Sequence, residues 1–223
     1  MLQRYLRLMA PDLEIGYCDE LTYPERWLAP DEARRTLVHR LITLDDTADG
    51  GAFLAAVRDS GATVSCMFEA ELKMHRRWFS LLCDPRYHHL LDDEQLAAIE
   101  RYVPYTFDLR PDEVESAVAD RDRLVFKRSY TYGGKGVLIG DQYSAGELRT
   151  LLTADVSAWT CQRRVYTSTL DLPGADGRPV PFHLVLGMFL YGDGPSGLLV
   201  RAAAGSPLVN VSQGGGVSWA FVE

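Results

Sequence analysis

The stretch from Leu124 to Val137 is the part of this chain that allows the fewest folds. It begins with the apolar run Leu124-Val125-Phe126, ends that run in Lys127, and passes through Arg128-Ser129-Tyr130-Thr131-Tyr132 to Gly133-Gly134-Lys135-Gly136. An apolar strand signal then returns at Val137. Two strands joined by glycines read as a hairpin. A Walker loop or a dinucleotide fingerprint needs a helix after its glycines; a strand follows these, so both are excluded. What remains is a strand–glycine loop–strand unit whose backbone can fold closely over an anion, with Lys127 able to reach phosphates beneath it.

Lysine usage sharpens this reading. Only three of the 23 basic residues are lysines, namely Lys73, Lys127 and Lys135, and two of them flank the glycine loop. Elsewhere the chain uses arginine. A lysine kept against that bias suits a task for a compact point charge, such as binding among phosphates.

A formal net charge of −8 leaves no basic face to track a nucleic-acid strand, although a local positive pocket can still hold a nucleotide. Cys18, Cys66, Cys83 and Cys161 lie far apart without a C-x-x-C pair, which fits reduced thiols better than a disulfide framework or a zinc site. No apolar run approaches membrane-spanning length, and the N-terminus lacks a basic segment leading into an apolar one. The expectation is a soluble, cytoplasmic protein.

Along the chain, the spacing predicts a short helix over Met1–Met9 and a strand within Thr36–Leu44. A helix over Ala52–Val57, a stop at Asp59-Ser60-Gly61 and a buried strand at Thr63–Met67 suggest an α/β layer. Helical spacing returns over Glu69–Cys83, and Asp92-Asp93-Glu94 opens a helix that stops before Val103-Pro104. A short helix follows Pro111. Strands are then expected at Leu124–Lys127, Val137–Ile139, Trp159–Val165, Val180–Tyr191, Gly197–Ala202 and Leu208–Val211. One helix interrupts them, opened by the capping-box pattern Ser144-Ala145-Gly146-Glu147. The chain therefore divides softly near residue 110 into a helix-rich part, 1–110, and a sheet-rich part, 111–223. The fold class is α+β.

A second constellation lies near the C-terminus, where Arg201 and Asn210 fall on adjacent strand-like stretches before Gln213-Gly214-Gly215-Gly216. Asn210 offers a neutral oxygen to Mg²⁺, and Arg201 a fork for phosphate or carboxylate; the alternative is a surface arginine and a turn asparagine. His39 is isolated, His88-His89 reads as an exposed helix edge, and Arg163-Arg164 as a solvated pair at a strand end.

Taken in order, these segments resemble the ATP-grasp fold, and more narrowly the circularly permuted ATP-grasp proteins related to glutathionylspermidine synthase. The stretches that carry the resemblance are Glu71-Leu72-Lys73, Leu81–Arg86, Tyr102–Thr106, Val125-Phe126-Lys127 and Tyr132–Val137. It continues through Gln162–Val165, Gly187-Met188-Phe189, Arg201-Ala202 and Val209-Asn210 with the glycine triplet. The resemblance implies two α+β lobes with ATP between them. It gives Lys73 and Lys127 the roles of ATP lysines and makes Tyr132–Gly136, with Gly133, Gly134, Lys135 and Gly136, a phosphate lid. Gln162 to Val165 become a hinge beside adenine and ribose, Asn210 a magnesium ligand, and Arg201 a catalytic fork. The implied chemistry is ATP-dependent ligation of a carboxylate to an amine through an acyl phosphate, using Mg²⁺.

Two departures bear on that chemistry. His183 stands where an acidic metal ligand is expected, and Arg201–Asn210 contains no Asp or Glu, leaving Asp193 or Glu69 as fallback acids. The N-terminal region is shorter than such proteins usually carry, so a partner chain is a candidate for completing the substrate lobe. A non-catalytic ATP-grasp-like module that binds nucleotide or a partner is the other reading.

Overall fold

Parallel strands cannot be joined by a tight turn, and the crossover they require is visible early in the chain. Strands β1 (Leu37–His39) and β2 (Thr63–Ser65) pair in parallel with Leu37 opposite Thr63. A one-turn helix α1 (Pro30–Ala33) precedes them, and helix α2 (Ala52–Asp59) lies between them in sequence, burying Leu54 and Val57. The expected α/β layer is present here. The computed structural model describes residues 7–8, 10–17, 19, 22–23, 25–40, 48, 51–66, 70, 72–73, 75–129, 131, 134–174, 176–192, 194–211 and 214–218. The chain divides into two compact units, Met1–Met74 and His75–Glu223. Most of the Met1–Met9 helix expectation, the end of the Thr36–Leu44 strand, and Met67 lie outside the described residues.

The second unit opens with α3 (Arg77–Cys83) and α4 (Asp93–Tyr102). Asp92 caps α4 by accepting from the Gln95 amide, while the Gln95 side chain accepts from the Asp92 amide. The helix ends at Val103, directly before proline. Then come β3 (Thr106–Asp108), α5 (Val114–Ala119), β4 (Leu124–Arg128), β5 (Val137–Ile139), α6 (Ala145–Thr153) and β6 (Trp159–Arg163). The four strands form one antiparallel sheet in the order β3-β6-β4-β5, so β6 enters between β3 and β4. The Ser144 hydroxyl accepts from the Glu147 amide and the Glu147 carboxylate from the Ser144 amide, which is the expected capping box.

Strand alternation divides this sheet into two unlike faces. Phe126, Leu124, Trp159 and Cys161 join Val114, Val118, Leu148 and Leu152 in the buried core. Burial pushes the Cys161 thiol up to about 12, so it is an inert core group. The opposite face carries Thr106, Gln162, Val125 and, one pair further along, Thr160 and Lys127. Helix α3 packs against β3.

A second antiparallel sheet follows in the order β10-β9-β8-β7. Its strands are β7 (Thr169–Pro173), β8 (Pro179–Tyr191), β9 (Gly194–Ala204) and β10 (Gly216–Ser218). Two features differ from expectation. Strand β7 was not expected, although Thr169-Leu170-Asp171-Leu172 alternates; Pro173 at its end pairs with Pro179, the first residue of β8, at the end of the ladder. Leu208–Val211 is not a strand: the Gly215 amide donates to the Asn210 carbonyl at 2.9 Å, turning the chain back, and Gly216–Ser218 takes the place beside β9. A Cβ on Gly215 would sit 2.8 Å from that carbonyl, which explains a glycine there.

Candidate functional site

Lys127 is the second-to-last residue of β4 and points to the sheet face away from the core, where it is half-buried. Its Nζ donates to Gln162 Oε1 at 2.5 Å. Gln162 Nε2 in turn donates to Thr106 Oγ1 at 2.9 Å, and Thr106 Oγ1 to the Pro104 carbonyl at 2.7 Å. This chain of bonds crosses three strands and fixes the ammonium in one place. Among the described residues no carboxylate lies within ion-pair distance of Lys127. Burial, and after it the charge of Arg76, lowers the Lys127 pKa from its ordinary 10.5. A half-buried cation beside a second cation is a place where an anion is favoured.

The hairpin after Lys127 closes with the Arg128 amide donating to the Gly136 carbonyl at 2.8 Å. Gly134 and Gly136 have φ of 78° and 63°, and a Cβ on Gly136 would lie 3.0 Å from that of Arg128. Both positions therefore need glycine. Lys135 is exposed. Gly133, Tyr130 and Tyr132 lie outside the described residues.

Arg76, which the sequence reading missed, meets this hairpin. Its Nη1 donates to the Arg128 carbonyl at 2.5 Å and to Thr131 Oγ1 at 2.9 Å, and Thr131 Oγ1 donates to the Lys135 carbonyl at 2.7 Å. The next residue, Arg77, turns to the sheet: its Nε lies 3.5 Å from Asp108 Oδ1, and its Nη2 donates to the Ser157 carbonyl. The signal that could have found Arg76 was faint. Helical spacing over Glu69–Cys83 implied continuity, whereas a break at His75-Arg76 swings these two arginines onto separate partners.

At the other end of the sheet a cavity of about 380 Å³ is lined by Asp141, Gln142, Arg164, Val165, Tyr166, Thr167, His183 and Pro207. Arg164 is not the solvated residue expected from sequence. Its side chain is 13% exposed, pairs with Asp141, and stacks over Tyr166 with 4.5 Å to the ring centroid. Val165 is exposed at the rim, and His183 Nδ1 lies 3.1 Å from Thr167 Oγ1. Along β4, Leu124 pairs with Arg163, the neighbour of cavity-lining Arg164, and lies three residues from Lys127, roughly 10 Å along the strand.

The remaining sequence candidates stand on elements other than the β3-β6-β4-β5 sheet. Lys73 is exposed and belongs to the first compact unit. Arg201 is half-buried on β9 between Val185 and Val217, and Asn210 is half-buried in the following turn. The described segment Arg201–Val211 carries no carboxylate, and no group of three or more His, Cys, Asp or Glu side chains fit to hold a metal occurs among the described residues. Asp193, Glu69 and Gln213 lie outside them. The donors present suit a phosphate-bearing ligand. They do not by themselves make a Mg²⁺ site, which favours carboxylate oxygens.

No family model matches the chain. Over 114 residues, 48% of its length, it is 34% identical to a protein of Frankia alni provisionally named glutamate–cysteine ligase 2-3, and equally to one of Frankia casuarinae provisionally named glutamate–cysteine ligase 2-2. The chain spans only 13% of the length of each of these relatives. It is a mixed α and β protein with weak similarity to proteins named as carboxylate–amine ligases. No helix among the described residues is long and apolar enough to cross a membrane.

Proposed function

We propose that this chain is the nucleotide-holding part of an ATP-dependent carboxylate–amine ligase of ATP-grasp type, working through an acyl phosphate. The observation that carries the reading is Lys127: a half-buried ammonium on the polar face of an antiparallel sheet, held by Gln162 beside a glycine hairpin and next to Arg76. On this reading the cavity at Val165 takes the base, Lys127 takes the phosphates, and the hairpin covers them. Residues 1–110 then lead into the nucleotide-binding lobe, and 111–223 carry its sheet-rich core. ATP supplies a γ-phosphoryl group that activates a carboxylate for attack by an amine. The residues of this chain contribute charge and position: Lys127 offsets negative charge, Gln162 orients Lys127, and Arg201 offers a fork to an anionic substrate. Small-molecule or peptide carboxylates and amines are the expected substrates, and the names of the Frankia proteins make glutamate and cysteine the first pair to try.

The second reading is a non-catalytic nucleotide- or partner-binding module. It is favoured by one observation: His183 and Asn210, with no acid in Arg201–Val211, make a poor anchor for Mg²⁺. Calorimetric ATP titration with and without Mg²⁺, followed by assay of ADP release with paired amino acids, decides between the two. Affinity that ignores magnesium, with no ADP released, would leave the module; no ATP binding at all would remove both.

A further inference from the structure

We propose that Arg76 is the positioning residue of the glycine hairpin: it ties the hairpin base together at Arg128, Thr131 and Lys135 before a polyphosphate binds beside Lys127. This inference rests on the nucleotide reading of the Lys127 site, but the latch itself stands on three contacts.

The two Nη1 protons of Arg76 go to two points on the same arm, the Arg128 carbonyl and the Thr131 hydroxyl. That hydroxyl passes its own proton across the loop to the Lys135 carbonyl on the other arm. One guanidinium therefore joins both arms through a single bridging hydroxyl. Each bond from a charged donor is stronger than a neutral one, and the charge polarises the Thr131 hydroxyl toward Lys135. Below the latch, among the described residues, the Arg128 amide donates to the Gly136 carbonyl and the Ser129 amide to the Ala158 carbonyl, and glycines at 134 and 136 give the hairpin little stiffness of its own. Loops that close over ligands are drawn from the weakly stable parts of a fold, and ordering one lowers affinity. A latch made before the ligand arrives removes part of that cost. Arginine suits the role because the two Nη1 protons are fixed in the guanidinium plane and so aim at two set acceptors, whereas the protons of a lysine ammonium rotate freely.

The test is hydrogen exchange by mass spectrometry on the full chain without nucleotide, comparing wild type with Arg76→Gln, Thr131→Val and the double variant. Arg76→Gln should speed exchange in peptides covering Thr131–Ile139 about tenfold, the scale of a lost charge-assisted bond. Thr131→Val should do most of the same, and the double variant should add little, because both act through one bridge. Arg76→Lys should restore part of the protection. Peptides from α6 and β6 should keep their wild-type exchange, showing that the fold survives. The latch is overturned if the hairpin exchanges alike in wild type and Arg76→Gln, if the two single effects simply add, or if α6 and β6 loosen together with the hairpin. ATP is then added: Arg76→Gln should bind it about tenfold more weakly, with saturating ATP returning the lost protection. If wild type binds no ATP while the exchange difference persists, the nucleotide reading fails and the latch stands. If Arg76→Gln binds ATP as wild type does, the link between latch and ligand is wrong.

Discussion

The two sheets of the second unit differ in what their faces meet. In β3-β6-β4-β5 one face is sealed by α5 and α6, with Phe126, Leu148, Leu152 and Cys161 fully buried. The other face is given to polar groups, among them Lys127, Gln162 and Thr106. In β10-β9-β8-β7 the long strands leave Leu186, Met188, Phe189 and Leu190 more than half exposed, although their sequence is as apolar as any core strand. Identical strand chemistry thus has two outcomes. Where helices cover one face, the second face is freed for charge. Where the apolar residues remain exposed, they add little to the stability of the unit, because hydrophobic stabilisation scales with area removed from water.

Stability gives the largest expected contrast. Leu148→Ala should cost about 2–5 kcal/mol by opening a cavity in the sealed core. Met188→Ala, at a residue 61% exposed, should stay within about 0.5 kcal/mol. Denaturant melts of both variants test this, and equal losses would mean that the second sheet is buried in solution by something that covers β8.

Binding sharpens the same comparison. Lys127→Ala should weaken ATP binding by on the order of 1.5–3 kcal/mol, the range for a hydrogen bond to a charged group. Calorimetry on the folded variant is the measurement, and unchanged affinity would move the phosphates away from the first sheet. Asn210→Ala, beside the second sheet, should have a smaller effect and only when Mg²⁺ is present. A larger loss without the metal would assign Asn210 to something other than a cation.

The smallest effect is a proton count. Burial, then Arg76, lowers the Lys127 pKa below 10.5, so the unfolded chain binds more protons than the folded one between that lowered value and 10.5. The contribution of Lys127 to stability is therefore unfavourable below the window and improves as pH rises through it. A bound polyphosphate favours the ammonium and raises its pKa again, so ATP binding in this window should take up a fraction of a proton. Titrations at alkaline pH in two buffers of unlike ionisation enthalpy read that fraction, and Lys127→Ala should abolish it. Equal heats for wild type in both buffers would place the phosphates elsewhere.

Much of the hairpin was legible because its signals are local. An apolar strand, glycines at the turn and a scarce lysine all lie within fourteen consecutive residues, Leu124 to Val137. The capping boxes at Asp92 and Ser144 were legible for the same reason, since each bond spans three residues. Arg76 was not, because its acceptors lie 52 and 55 residues away and depend on a helix break that periodicity does not mark. Arg164 looked like a solvated residue until Asp141, 23 positions earlier, was brought to it.

The sequence by itself determined which segments are strands and helices over most of 92–204, and that a lysine stands before a glycine turn. Alternation, caps and turn residues act over one to four positions, so they can be read without knowing the fold. Only the tertiary structure decided that β6 runs between β3 and β4, which is what puts Gln162 beside Lys127. It also decided that Arg76 reaches the hairpin, and that Asn210 lies in a turn rather than a strand. Strand order and long-range ion pairs follow from which faces can be buried together, and that depends on the whole chain at once.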